Sequence, residues 1–266
     1  MRKMLIDALY KRGIFASRAI EIDEIFSKMQ LLHPVSTEIE LVRIGGEGDG
    51  GYLVPNDLSN IRRCFSPGVA AYAGFEEELG NMGIKSFMAD YSVDNPPVGN
   101  PNFHFEKRFL GSLNDDIFMT LDDWVSRHAP DDDKDMILQM DIEGAEYDTL
   151  LAASTSLLNR FRIIIMEFHF LRDLMTPLGN QIVGNTFSKL AQTHAVVHSH
   201  PNNCGTPFRF QSAVFPAALE VTFLRKDRFT RSHPAKEFPH PLDRPCVPNR
   251  PDPPLPSCWH ASESGQ

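Results

Sequence analysis

The sequence predicts an α/β domain built on a doubly wound, mostly parallel sheet of about seven strands. Three observations lead there. Short apolar runs rich in β-branched and aromatic residues recur along the chain, helix-patterned stretches separate several of them, and no low-complexity linker divides the middle. Parallel strands need long crossovers, and helices on both faces of the sheet make such strands apolar throughout. With 266 residues the chain can bury one large core of this kind.

Taken in order, Met1 to Leu32 reads as one or two amphipathic helices, since Leu9, Ile22, Ile25, Phe26 and Met29 recur at near-helical spacing. Their simplest role is packing or dimerisation. Residues 43–55, RIGGEGDGGYLVP, are too glycine-rich for a helix and read as a loop or kinked hairpin. The expected strands are 62–66, 84–90, 103–109, 136–141, 162–168, 195–198 and 221–224. Helices are expected at 75–82, 121–128, 147–158 and 186–193. From Ser232 onward prolines dominate. Each removes a donor and fixes φ, so this segment reads as an extended arm over the domain or as disorder, with Cys258 and Trp259 as candidate anchors. The chain therefore divides into a helical segment 1–42, an α/β domain 43–230 and a proline-rich tail 231–266.

Composition narrows the partners. The formal net charge of -9 and pI near 5.5 argue against nucleic-acid binding. No apolar stretch approaches the roughly 20 residues needed to span a bilayer, and no signal-peptide core follows the basic N-terminus. The four cysteines form no C-x-x-C pair, so neither a disulfide framework nor a zinc knuckle is indicated. A cytoplasmic location is the expectation, and a homo-oligomer is left open.

The first strand ends in Ser66-Pro67-Gly68, followed by an acidic helix that carries Glu76. In a doubly wound sheet this turn borders the ligand crevice, and a glycine there lets backbone come close to a ligand. No dinucleotide or P-loop fingerprint is present. The second strand ends in Asp90, near the spacing of a carboxylate that takes a ribose hydroxyl pair. Three further pairs follow apolar strands: Asp141 with Glu143, Glu167 with His169, and His198 with His200. Parallel strands bring such ends to one edge. Each residue also has a purely structural reading. Asp141 and Glu143 could cap the next helix, Glu167 could pair with Arg162 or Arg172, His198 could be a core histidine, and Asn202 and Asn203 suit a turn after Pro201. Functionally, His169, His198 or His200 is the candidate base and Asp141 its catalytic partner. Glu143, Glu167, Asn202 and Asn203 are candidate acceptor contacts. Asp141, Glu167 and His169 are the candidate ligands of a divalent metal such as Mg or Mn.

T-L-D-D-W at 120–124, M-D-I-E-G-A-E-Y at 140–147 and M-E-F-H at 166–169 resemble FkbM-type methyltransferases. The R-I-G-G-x-x-D-G-G-Y and H-x-H-P-N-N-C segments look like features of one branch of such proteins. The resemblance implies a class I methyltransferase, Rossmann-like fold with an antiparallel last strand. It implies S-adenosylmethionine as methyl donor and O-methylation of a sugar, glycan or small natural product. By position it puts Gly68 near the methionine part of the cofactor, Asp90 at the ribose and Asp141 at the reacting centre. Many members carry D-x-G-A-N-x-G after the first strand, where this chain has Ser66-Pro67-Gly68-Val69. The cofactor's methionine end would then lean on Asp49, Tyr52 or Glu76. The competing readings are a metal-dependent hydrolase using the same acids and histidines, and a non-catalytic glycan-binding or assembly subunit.

Overall fold

The structure is a computed structural model that describes residues 2–14, 17–69, 72–130 and 134–261. The last five residues of the proline-rich tail lie outside that description. In chain order the elements are α1 (Arg2–Tyr10), α2 (Ile22–Met29), β1 (Val35–Thr37), β2 (Leu41–Ile44), β3 (Tyr52–Pro55) and β4 (Arg63–Pro67). Next come α3 (Gly74–Asn81), β5 (Lys85–Ala89), β6 (Phe103–Glu106), β7 (Phe109–Leu110), β8 (Phe118–Met119), α4 (Leu121–His128) and β9 (Met136–Met140). They are followed by α5 (Glu146–Ala152), α6 (Thr155–Leu158), β10 (Phe161–His169), α7 (Pro177–Thr193) and β11 (His194–Pro201). The chain continues through β12 (Phe208–Phe210), β13 (Ala213–Phe215), β14 (Ala218–Arg225) and β15 (Ser232–Pro234).

Seven strands form the central sheet in the order β11-β14-β10-β9-β4-β5-β6. The pairings among β10, β9, β4, β5 and β6 are parallel. Both pairings of β14 are antiparallel, and these are the longest ladders, seven residue pairs each. The sheet is thus mixed, which corrects the expectation of a mostly parallel one. The cause is local. Between β11 and β14 the chain makes only the small β12–β13 hairpin, with no helical crossover, so it returns antiparallel.

Alternation along the strands divides the core between two faces. Phe65, Leu138, Ile164 and Met166 meet Ile25 and Met29 of α2, Trp124 of α4, Leu150 of α5 and Phe187 of α7. Cys64, Ile137, Ile163 and Ile165 meet Phe75 and Leu79 of α3 and the β2–β3 hairpin, which lays Ile44, Tyr52 and Val54 on the opposite face. With both faces covered, every residue of β9 is buried.

Caps fix the helices that frame the site. Thr120 caps α4 by accepting from the Asp123 N–H, and Asp122 accepts from the backbone N–H and hydroxyl of Ser154, tying α4 to the start of α6. The T-L-D-D-W segment therefore works structurally, with Trp124 stacked edge-on against Phe65 in the core. One expected helix, 147–158, is broken at Ala153 and Ser154 into α5 and α6, whereas α7 starts earlier than its pattern, at Pro177, where proline sits well in a first turn.

β15 pairs antiparallel with β1, a two-stranded edge where Pro234 leaves no interior ladder incomplete. Further on, Leu255 and Trp259 are buried in the larger core cluster, and the Trp259 indole donates to the Val214 carbonyl at 2.7 Å. None of the helices among the described residues is long and apolar enough to cross a membrane.

Candidate active site

Strand order decides where a ligand can sit. From β4 the chain steps outward through β5 and β6, and from β9 it steps the other way through β10. The direction reverses between β4 and β9, and the loops leaving those two strands diverge to opposite faces, opening a crevice. A cavity of about 470 Å³ occupies it. Its rim carries Gly68 after β4, Asp90 and Ser92 after β5, and Asp141, Ile142, Glu143 and Ala145 after β9. Phe109, Leu110 and Phe118 make an apolar wall.

Gly68 is required here by the protein's own packing. Its φ is +91°, and a Cβ would stand 1.6 Å from the Asp141 carbonyl oxygen. Only glycine lets the two loops pack so closely. Asp90 is buried, and its Oδ1 accepts from the Ser92 N–H at 2.7 Å and the Ser92 hydroxyl at 2.6 Å. That leaves Oδ2 free of any intramolecular bond found among the described residues.

Beside the cavity the D-I-E-G-A-E turn and the end of β10 converge. Glu143 (φ +55°) and Gly144 (φ +107°) turn the chain sharply, and the Phe170 ring fills the place a Gly144 side chain would need. Glu146 is fully buried; its Oε1 accepts from the N–H groups of Ile142 and Gly144 and lies 3.1 Å from His169 Nδ1. Tyr147 donates to the His169 carbonyl at 2.5 Å. Held on that side, His169 turns Nε2 toward Glu143 Oε2 at 3.5 Å, Glu167 Oε1 at 3.8 Å and Asp141 Oδ1 at 4.0 Å.

Charge crowding sets the protonation states. Burial raises Asp141 to about 6; His169 pulls it down, and Glu143, Glu146 and Asp49 push it up. Glu167 is raised to about 10 by burial first and then by Glu220, Asp141 and Asp49, so it carries its proton at neutral pH. For His169, burial favours the neutral ring, but the Glu146 hydrogen bond and the surrounding carboxylates outweigh it and raise the pKa. Asp49, on the glycine loop, is raised by desolvation and by Glu220.

The other candidates fall elsewhere. Ser66 and Glu76 are buried behind the turn; the Ser66 hydroxyl is shared between Glu76 and Gln139, whose amide donates to the Tyr52 hydroxyl at 3.1 Å. Neither they nor Pro67 line the cavity. Gln139, the one polar residue of β9, is the sequence signal of this network. Asn202 donates to Glu167 at 3.0 Å and accepts from the Cys204 N–H. Asn203 is spent on the tail, donating to the Val247 carbonyl and accepting from the Val247 N–H. His198 is a core histidine 2.9 Å from Asp243, and His200 Nε2 lies 2.8 Å from Asp252. Glu167 does not pair with Arg162, which bridges Asp57 and Asp135 instead. Glu146, Ser92 and the three apolar wall residues are the contributors that sequence reasoning missed; only Glu146 had a signal, as the last acid of the D-I-E-G-A-E block.

Residues 91–193 match the Methyltransferase FkbM domain. The match runs from the loop after β5 through α7, so it contains Asp141, Glu143, Glu146, Glu167 and His169 and leaves His198 to Asn203 outside. The resemblance of the D-I-E-G-A-E segment to FkbM-type methyltransferases holds over this span, and the seven-stranded mixed sheet is consistent with a methyltransferase-like fold. The FkbM domain points to methyltransferase activity. No curated protein matches the chain.

Proposed function

We propose that the protein transfers the methyl group of S-adenosylmethionine to a hydroxyl of a sugar, glycan or small natural-product acceptor. The observation that carries the reading is the crevice at the strand reversal, with Asp90 and Asp141 on one rim and an apolar wall between. Asp90 suits the ribose diol, and Phe109, Leu110, Phe118 and Ile142 suit the flat adenine. The sulfonium methyl would then point toward Asp141 and His169.

Bound there, S-adenosylmethionine would supply an electrophilic methyl group for in-line transfer to the acceptor oxygen, with the carbon–sulfur electron pair left on the sulfur of S-adenosylhomocysteine. The hydroxyl proton must leave as the new bond forms. Asp141 and His169 are the groups placed to receive or release it, with Glu146 fixing the imidazole. His198 and His200, clasped by the tail, have no such part. Ser66, Pro67 and Glu76 support the turn from below. Glu143, Glu167 and Asn202 border the acceptor side. A hydrolase built on the same acids would leave Asp90 and the apolar slot without a role.

Calorimetric titration with S-adenosylmethionine and S-adenosylhomocysteine tests the reading. Saturable binding of one cofactor per chain is expected, competed mutually. Absence of binding by both, in protein shown to be folded, overturns it.

A further inference from the structure

Beside the cavity, donor atoms of three side chains converge around His169. We propose that Asp141, Glu143 and His169 bind a divalent cation at the inner rim of the cavity. One donor atom from each lies within 4.8 Å of the others. Around a cation with ligand bonds of about 2.1 Å, adjacent donors stand roughly 3.0 Å apart in octahedral and 3.4 Å in tetrahedral geometry. The 3.5 and 4.0 Å gaps from His169 Nε2 to Glu143 and Asp141 are too long for good hydrogen bonds and close, with small side-chain rotations, onto a shared ion.

Two independent features point the same way. Asp141 Oδ1, the oxygen facing His169, is buried from water and has no hydrogen-bond partner. Such an atom is costly unless something positive meets it. On the far side of the ring, Nδ1 meets the fully buried Glu146 carboxylate, the outer partner that fixes the tautomer and orientation of a metal-bound histidine. With Glu143 largely exposed, the third ligand leaves the ion open to water or to an acceptor oxygen.

The ligand set also changes the expectation from sequence. Glu167 is not in the group that converges; its Oε1 is taken by Asn202, and Glu143 supplies the second carboxylate. Two carboxylates and one imidazole, with no thiolate, suit Mn²⁺, with Mg²⁺ a weaker alternative. If the proposed methyl transfer stands, the ion holds and acidifies the acceptor hydroxyl, and His169 is its ligand rather than the free base. The binding claim itself does not rest on that reading.

The full chain, stripped with a chelator, is titrated with Mn²⁺ by calorimetry and by loss of the free Mn²⁺ electron-spin-resonance signal. One saturable site is expected. Glu143→Gln, at an exposed position that leaves folding intact, weakens it by about tenfold or more. Asp94→Asn, which removes an exposed carboxylate paired with Lys107, leaves it unchanged. Absence of saturable binding, or equal binding by the two variants, overturns the inference. The same preparations are titrated with S-adenosylhomocysteine. Cofactor binding without Mn²⁺ binding removes the cation site alone, whereas Mn²⁺ binding without cofactor binding removes the methyltransferase reading alone.

Discussion

Two groups of acids and histidines gather around strand ends of the same sheet, and they are put to opposite uses. At the ends of β9 and β10, Asp141, Glu143 and His169 keep atoms uncommitted: Asp141 Oδ1 has no partner and His169 Nε2 has only distant ones. Two strands further, His198 and His200 are closed in by Asp243, Glu220 and Asp252. Of the three carboxylates around these histidines, Asp243 and Asp252 come from the tail, and Asn203 bonds to Val247 of the same segment. The lesson is that residue type and strand position do not identify a reactive group; the distance to a partner separates the two. His169 Nε2 has no carboxylate nearer than 3.5 Å, whereas His198 and His200 have one at 2.9 Å and 2.8 Å.

The contrast can be broken most sharply at Asp141. Asp141→Ala should lower methyl transfer by about a thousandfold, read as S-adenosylhomocysteine formed per folded molecule, because it removes a group acting on the transferred proton. Retained activity would mean the uncommitted cluster is not the reacting centre. Next in size, Asp90→Ala should weaken S-adenosylhomocysteine binding about tenfold, the loss of a charge-assisted hydrogen-bond pair, in a calorimetric titration. His200→Gln should change turnover by less than about threefold while lowering unfolding free energy by about 3 kcal/mol, since it strands the buried Glu220 and the half-buried Asp252 without their charged partner. A large loss of turnover with normal stability would put the second group in the chemistry after all.

The smallest effect on activity is the pH response of the clasp. Burial lowers the His200 pKa, but the Glu220 carboxylate 3.7 Å away, with Asp243 and Asp252, outweighs it and raises the value to about 9 from 6.5. A raised folded-state value means the stabilisation is complete below about 6.5 and is lost as pH rises through about 9. Protease cleavage of the tail should therefore be faster at pH 9.5 than at pH 6.5 at equal global stability, and His200→Gln should abolish the difference.

Most of the seven sheet strands were legible because they carry enough buried apolar residues to stand out; Met136–Met140 is buried at every position, and Phe103–Glu106 at the sheet edge, with no buried residue, showed only through its two phenylalanines. The small ladders β7–β8 and β12–β13 were not, since two or three residues hold no period. The antiparallel return of β14 was legible only through family resemblance. In the site, Gly68, Asp90, Asp141 and Glu143 were placed by strand–turn order, and they do meet at one cavity. What failed was side-chain direction and long-range partnership. Ser66 and Glu76 lie near the right turn but point into the core beneath it. The partners of His198, His200 and Asn203 lie some tens of residues downstream in a segment whose prolines announce no regular structure. Nothing local to a histidine reveals an aspartate that arrives from there.

Trp259 has a bearing on how the protein is made. Its side chain occupies the same core cluster as Ile25 and Met29, and the Cys258 carbonyl meets His33 at 3.2 Å. On the ribosome, the helices near the start of the chain must wait with an uncovered apolar flank until residue 259 has cleared the exit tunnel. Until then that flank is open to chaperones and to aggregation, and a version shortened before this tryptophan would carry the exposure permanently.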